Sequence, residues 1–331
     1  MAMSELIDPF GRKIDYLRIS VTDRCDFRCT YCMDEDVSFL AREHILSLEE
    51  IVFVAQTFIA MGTKRIRITG GEPLVRKNIL WAIEQIANTP GLDELTITTN
   101  GSQLAKMAPA LYNAGVSRIN ISLDTLKAKR FYQLTRRDKF QQVIDGIESA
   151  AQLPFKRLKL NSVILKGRND DEIYALAEFA LSRGLDISYI EEMPLGIIHD
   201  HDRAATYMSS DDVIANLEQT YRLTPSTMKT GGPTRYYQVE GYQNRIGTIS
   251  PHSHNFCDTC NRVRLTAEGR LLLCLGNEHS KDLKSLLRSH PNDHQLLRDG
   301  IIEALALKPQ QHHFNLDETP QILRFMSATG G

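Results

Sequence analysis

Short β-branched runs alternate with amphipathic stretches through the first two-thirds of the chain, and this alternation restricts the fold more than any other feature. Strands separated by helical patterns read as βα units, whose strands lie parallel in one sheet with helices packed over it. Six strand candidates stand out, at residues 16–21, 65–69, 94–98, 118–122, 158–163 and 186–190. Ser47 and Glu50 form a capping box that opens a helix running to about Met61. Gly115 and Gly184 stand where a glycine closes a helix before the fourth and sixth strands. Six such units fit either a doubly wound sheet or an incomplete (β/α)6 barrel of the TIM type, and the pattern itself does not separate the two.

The rhythm changes near residue 200, which divides the chain into an expected βα domain, 1–200, and a C-terminal α+β domain, 201–331. Residues 225–253 are rich in Gly, Thr, Pro and Tyr, with strand-like runs at 236–239 and 245–249. Runs at 262–265 and 271–273 flank Glu268-Gly269 as a hairpin, and helices are expected at 281–287 and about 293–306. The closing Ser-Ala-Thr-Gly-Gly of residues 327–331 carries no structural signal of its own.

Charge argues against two broad classes of partner. Lys and Arg number 39 against 41 Asp and Glu, a net charge of −2, where a nucleic-acid or membrane-surface binder needs a basic footprint. No apolar run approaches bilayer length, and MAMSELIDPFGRKID lacks the charged-then-apolar layout of a signal peptide. A cytoplasmic chain with no nucleic-acid or membrane partner is therefore expected. There thiols stay reduced, and clustered cysteines mean metal or catalysis rather than disulfides.

All six cysteines fall into two triplets. Cys25, Cys29 and Cys32 have the spacing C-x3-C-x2-C, just beyond the first strand. Three thiolates can hold three irons of a four-iron cluster and leave the fourth iron open to a ligand, as a catalytic zinc keeps one position free. A structural zinc would need a fourth ligand, and the nearest histidine, His44, lies well outside the loop. Cys257, Cys260 and Cys274 form a second triplet, C-x2-C-x13-C. On spacing alone it suits a second cluster or a zinc completed by His252 or His254.

Strands buried on both faces should read as continuous apolar runs, and Arg18, Arg67 and Lys159 interrupt three of them. A buried cation costs several kcal/mol unless paired. Three such cations in three strands point to a shared anionic ligand, and Arg262 and Arg264 repeat the pattern beside the second triplet. Thr98, Ser122 and Met193 lie at or beyond strand ends, where α/β folds gather ligand contacts.

The stretch SVTDRCDFRCTYCM, followed one βα unit later by RITGGEP at residues 67–73, resembles the radical S-adenosylmethionine superfamily. The resemblance implies an open iron that chelates the methionine amino and carboxylate groups. An electron from the cluster then releases a 5′-deoxyadenosyl radical, the cofactor supplying the difficult chemistry. It also implies that Tyr31 helps hold the adenine and that the GGEP segment binds the methionine amino group.

Over nearly its whole length the sequence is similar to the GTP cyclases of molybdenum-cofactor biosynthesis, through ITGGEP, TTNG (98–101), ISLDTL (121–126), KLNSV (159–163), CDTCNRVRLTAEGRLLLCL and the terminal Gly330-Gly331. The similarity implies an incomplete (β/α)6 barrel closed by a C-terminal domain. It also implies two 4Fe-4S clusters, the second on Cys257, Cys260 and Cys274 with an open iron facing guanine. GTP becomes (8S)-3′,8-cyclo-7,8-dihydroguanosine triphosphate: the radical removes the ribose C3′ hydrogen and C3′ attacks guanine C8. Arg18, Arg67, Thr98, Lys159, Arg262 and Arg264 are implied as GTP contacts, and Tyr31, Gly71, Ser122 and Met193 as adenosylmethionine contacts. Arg262 and Arg264, with Gly330 and Gly331 of a tail that enters the site, are the implied catalytic group. A low-potential electron donor of flavodoxin or ferredoxin type and cyclic pyranopterin monophosphate synthase as the next enzyme are implied partners, and a homodimer is compatible. Asp26 and Asp34 depart from the family, which often has Asn and Pro there. A peptide-modifying radical enzyme and a two-cluster electron carrier remain as other readings of the residues.

Overall fold

The computed structural model describes residues 5–198, 201–312, 314–315 and 322–330. Twelve strands form one sheet. In chain order they are β1 (Tyr16–Ser20), β2 (Arg65–Thr69), β3 (Glu94–Thr99), β4 (Arg118–Ser122), β5 (Arg157–Val163), β6 (Asp186–Ile190), β7 (Leu223–Pro225), β8 (Arg235–Val239), β9 (Arg245–Ile249), β10 (Arg262–Leu265), β11 (Arg270–Leu272) and β12 (Ser280–Asp282). Their order across the sheet is β12-β11-β10-β1-β2-β3-β4-β5-β6-β9-β8-β7. Strands β1 to β6 are parallel and follow one another without the reversal that defines a doubly wound sheet.

Strands from the C-terminal third join this same sheet at both flanks. Strand β10 pairs parallel with β1, and β9 pairs parallel with β6. Antiparallel strands then extend each flank outward. The apolar positions of the strands pack under helices such as Leu48–Ala60, whose Ile51, Val54, Ala55 and Phe58 are fully buried. Ser47 and Glu50 make the expected reciprocal cap at the start of that helix. Gly115 has φ +92°, and a β-carbon there would come within 2.6 Å of the Ala87 side chain, so both backbone and space require glycine.

Two sequence expectations are corrected. Residues 281–287 do not form one helix: they begin in β12, and the helix spans Leu283–Ser289 with Asp282 as its cap. The chain end is not without structure, because Met326–Thr329 forms a helical turn in which Ser327 and Thr329 are buried. Strand β7 was not foreseen.

Candidate functional site

Strand register gathers the interior cations. Arg18 in β1 stands opposite Arg264 in β10 on one side and Arg67 in β2 on the other. Arg262 follows the same inward face two residues before Arg264, and Lys159 reaches in from β5. All five line one cavity with Asn161, Met193, Thr234, Phe256 and the second cysteine triplet. Burial first, then Arg264 and Arg67, lowers the pKa of Arg18. Burial and Arg262 bring Arg264 down to about 10, and burial followed by Arg67 lowers Lys159. Mutual repulsion of this kind is relieved by a polyanion and by little else.

The contacts described for Lys159 and Arg67 are with neutral groups. Lys159 Nζ donates to Thr234 Oγ1 at 3.3 Å and lies 5.9 Å from the Tyr236 ring. Asn120, with its amide oxygen turned toward Arg67, accepts from that guanidinium at 2.8 and 3.1 Å. Thr98 Oγ1 and Asn161 Oδ1 are buried with no hydrogen-bond partner among the described residues, and so is Arg67 Nε. Thr98 pairs in register with Asn120, and Ser122 with Asn161, but neither Thr98 nor Ser122 belongs to the cavity wall.

The second triplet sits on the same cavity. Cys257 starts a short helical turn, Cys260 closes it two residues before β10, and Cys274 follows β11, so the β10–β11 hairpin brings the distant third cysteine beside the first two. Backbone N–H groups of His312 and Gly276 face the sulfurs of Cys257 and Cys274. The histidines considered as zinc ligands are engaged elsewhere. His252 Nε2 is 2.9 Å from the Glu192 carbonyl, and His254 Nε2 is 2.7 Å from Asp211.

The first triplet occupies the loop after β1, and the glycine pair of the GGEP segment explains its course. A β-carbon on Gly71 would lie 2.3 Å from the Arg24 carbonyl oxygen, and one on Gly70 2.6 Å from that of Thr22. The glycines therefore admit the cysteine loop itself, one chain segment lying directly on another. Glu72 is fully buried and accepts from the backbone of Leu74 and Asn100 and from Thr99 Oγ1; burial pushes its pKa up to about 7.

Burial raises the Cys29 thiol and pushes Cys25 and Cys32 to about 12. Such thiols ionise only against a strong positive charge, which bound iron provides. Tyr31 donates to Asp124 Oδ2 at 2.7 Å, while Asp124 Oδ1 accepts from the Val163 N–H. Burial lifts Asp124 to about 6. Asp26 adds no free charge: although burial opposes its ionisation, Lys139 at 2.9 Å with Asn100 and Ser102 at 2.7 Å holds its pKa below the ordinary value.

The tail links the two triplets. The Ser327 N–H faces Cys32 Sγ, and Arg264 Nη1 donates to the Gly330 carbonyl. Gly330 has φ +76°, and a β-carbon on it would meet Thr69 Cγ2 at 2.5 Å. Upstream, Ile322 bridges Leu195, Phe325 lies against Gly196, and Arg324 pairs with Glu278 and donates to Asn277 O at 2.8 Å. Gly331 lies outside the described residues.

Among the described residues no three His, Cys, Asp or Glu side chains are grouped as for a single metal ion, so each triplet is judged by its donors. Three sulfurs apiece, with no histidine committed to them, suit clusters that leave one iron open. Sequence reasoning missed Asp124, Asn120 and Asn161. Asp124 stands in the ISLDTL segment two residues past Ser122 and Asn161 stands in KLNSV; Asn120 carries no signal in a single sequence.

Comparison with known proteins agrees with this geometry. The model of the Radical SAM superfamily matches residues 19–180, and that of Molybdenum Cofactor Synthesis C matches residues 185–314. The GTP 3′,8-cyclase of Ectopseudomonas mendocina is 60% identical over 331 residues, covering 100% of both chains. GTP 3′,8-cyclase 2 of Pseudomonas aeruginosa is 57% identical over the same span and coverage. Among solved structures, Streptococcus suis SuiB bound to S-adenosylmethionine matches with TM-score 0.63 and 14% identity, over 95% of this chain and 79% of that one. No helix among the described residues is long and apolar enough to cross a membrane.

Proposed function

The chain belongs to the GTP 3′,8-cyclases, radical S-adenosylmethionine enzymes of molybdenum-cofactor biosynthesis, and from that membership we infer that it converts GTP into (8S)-3′,8-cyclo-7,8-dihydroguanosine 5′-triphosphate. A 4Fe-4S cluster and S-adenosylmethionine, when bound, supply the 5′-deoxyadenosyl radical that takes the ribose C3′ hydrogen before C3′ closes on guanine C8.

The residues of the chain bind, orient and shield. Cys25, Cys29 and Cys32 hold the first cluster. Tyr31, kept in place by Asp124, lies against the adenine, and Gly71, Ser122 and Met193 complete the adenosylmethionine site. Arg18, Arg67, Lys159, Arg262 and Arg264 take the triphosphate charge, with Thr98 beside them. Cys257, Cys260 and Cys274 would hold a second cluster beside the cations of the same cavity. Arg264 also fixes Gly330, so that the tail, ending in Gly331, excludes water while the substrate reacts.

The sheet is read as an incomplete (β/α)6 barrel, residues 1–200, closed by residues 201–331; its sequential strand order supports this. Electrons come from a flavodoxin- or ferredoxin-like donor, and the product passes to cyclic pyranopterin monophosphate synthase.

One observation carries the assignment of substrate: five cations and a cysteine triplet share a single cavity wall. A peptide-modifying enzyme of similar fold has no need of that charge. Anaerobic incubation of the reconstituted protein with GTP, S-adenosylmethionine and reductant, followed by mass analysis, should yield the cyclic triphosphate and 5′-deoxyadenosine together. Deoxyadenosine without a modified nucleotide would refute the reading.

A further inference from the structure

A buried lysine lies beside the second triplet and takes no part in the site as described above. Lys308 follows the helix His294–Leu305 and is only 3% exposed. Its Nζ lies 3.7 Å from Cys260 Sγ and donates to the Arg262 carbonyl at 3.1 Å and to the Leu273 carbonyl. Arg262 stands two residues after Cys260, and Leu273 immediately precedes Cys274. One ammonium thus joins the two chain segments that carry these cysteines.

The electrostatics of this placement is incomplete within the protein alone. A buried ammonium costs several kcal/mol unless an opposite charge offsets it. Carbonyls satisfy its protons but bring no net charge, and among the described residues no carboxylate forms an ion pair with Lys308. The other cations around Cys260 do not serve in its place: Arg12 is paired with Asp8 at 2.6 Å, and Arg262 faces the cavity. The nearest source of negative charge is the triplet itself. Three thiolates around an oxidised 4Fe-4S core leave a net charge of −1, and reduction makes it −2.

We propose that Lys308 is the positioning residue of the second cluster: it neutralises the ligated core, holds the Cys260 and Cys274 segments at their spacing, and raises the cluster's reduction potential. The inference rests on the reading that this triplet holds a cluster. Its physical basis is that a cation hydrogen-bonded to a ligand sulfur favours the more negative, reduced state, and that such outer contacts set both potential and retention. Among the described residues the first triplet has no comparable cation hydrogen-bonded to its sulfurs; Cys25 receives an amide, Asn100 Nδ2 at 3.7 Å. The two clusters should therefore differ in potential, the second being the easier to reduce.

The test uses Lys308→Met, Lys308→Gln and Lys308→Arg in the fully reconstituted protein, with a redox titration followed by electron paramagnetic resonance and iron release to a chelator. In the methionine and glutamine variants the second cluster's midpoint should move negative and its iron should leave faster, while the first cluster in the same molecule keeps both values. The arginine variant should stay near wild type. Glutamine behaving as wild type would overturn the role of charge, and unchanged midpoints with unchanged iron release in all three would overturn the proposal. Loss of both clusters in every variant would reduce Lys308 to a folding role and overturn it as well. Wild-type protein that binds about four irons rather than eight would instead remove the second cluster, and with it the reading beneath the inference.

Discussion

Arg264 Nη1 donates to the backbone carbonyl of Gly330 at 2.5 Å, tying the end of the chain to a strand that also lines the cation cavity. The bond forms beside β1 and β2, since Gly330 sits against Ser20 and Thr69. Gly330, which would be free at a frayed end, is here held in the interior, at an entropic cost.

Removing Gly330 and Gly331 should leave iron content and thermal midpoint close to wild type, because buried Ile322, Ser327 and Thr329 still anchor the segment. Formation of the cyclic product should fall at least tenfold while cleavage of S-adenosylmethionine continues. Gly330→Ala, strained by the positive φ and by Thr69, should behave in the same direction. A truncated chain with full cyclase activity would return the tail to an incidental role.

Metal analysis tests the division of labour between the triplets. Reconstituted wild type should hold about eight irons, and replacing Cys257, Cys260 and Cys274 together should remove about half. Cys29→Ala should abolish S-adenosylmethionine cleavage, whereas Cys260→Ala should spare some cleavage and stop GTP conversion. Equal loss of cleavage in both variants would show that the two triplets do not act separately.

Gly71→Ala probes the contact between GGEP and the cysteine loop. Its new methyl would lie 2.3 Å from the Arg24 carbonyl oxygen, so the loop carrying Cys25 must move. Iron at the first triplet should become labile and deoxyadenosine formation should drop strongly, with the second triplet's iron retained. Normal iron content combined with a raised KM for S-adenosylmethionine would instead show that Gly71 serves as a ligand contact alone and does not seat the cysteine loop.

The cation wall sets substrate binding against stability. Lys159 is buried among like charges, so Lys159→Met should raise the thermal midpoint of nucleotide-free protein and weaken GTP binding by tenfold or more. GTP should raise the midpoint of wild type more than that of the variant. A destabilised Lys159→Met would show that Thr234 and the Tyr236 ring already compensate the charge.

Asp124 gives a pH signature. Its folded pKa of about 6 exceeds the ordinary 3.8, so ionising it is harder in the folded chain than in the unfolded one. The penalty is absent below about pH 4, grows between about 4 and 6, and above that amounts to about 3 kcal/mol. Asp124→Asn keeps an acceptor for Val163 and a partner for Tyr31 without the titration. Anaerobic denaturant unfolding from pH 5 to 7 should therefore show the variant gaining on wild type as pH rises. A pH-independent difference would contradict it.

Much of this was legible in the residues, and the physical reasons separate what was from what was not. Strands β2, β4 and β6 fall where alternation placed them, because apolar runs bounded by turn residues have few other uses. Arg18, Arg67 and Lys159 were conspicuous because a charge inside a buried strand is costly. Asp124, Asn161 and Lys308 gave no such sign: Asp124 and Lys308 follow a strand and a helix, Asn161 lies within β5, and only the fold reveals what each touches. The resemblance gives the GGEP segment a ligand-binding role, yet what approaches its glycines is a neighbouring backbone. The bridging role of the tail also lay beyond the sequence, since Met326–Thr329 is ordered by burial rather than by helical propensity.

The flanking of β1 by β10 and of β6 by β9 has a consequence for synthesis. Tyr16 meets Arg262 across most of the chain's length, so a nascent chain that has completed β6 presents two apolar strands with unpaired backbone on opposite sides. Open edges of that kind recruit other chains, and at ribosomal speed they wait several seconds for β9 and β10 to emerge. The chain is most exposed to aggregation in that interval, before any metal is bound, and its yield in a cell should depend on chaperones that shield half-made sheets.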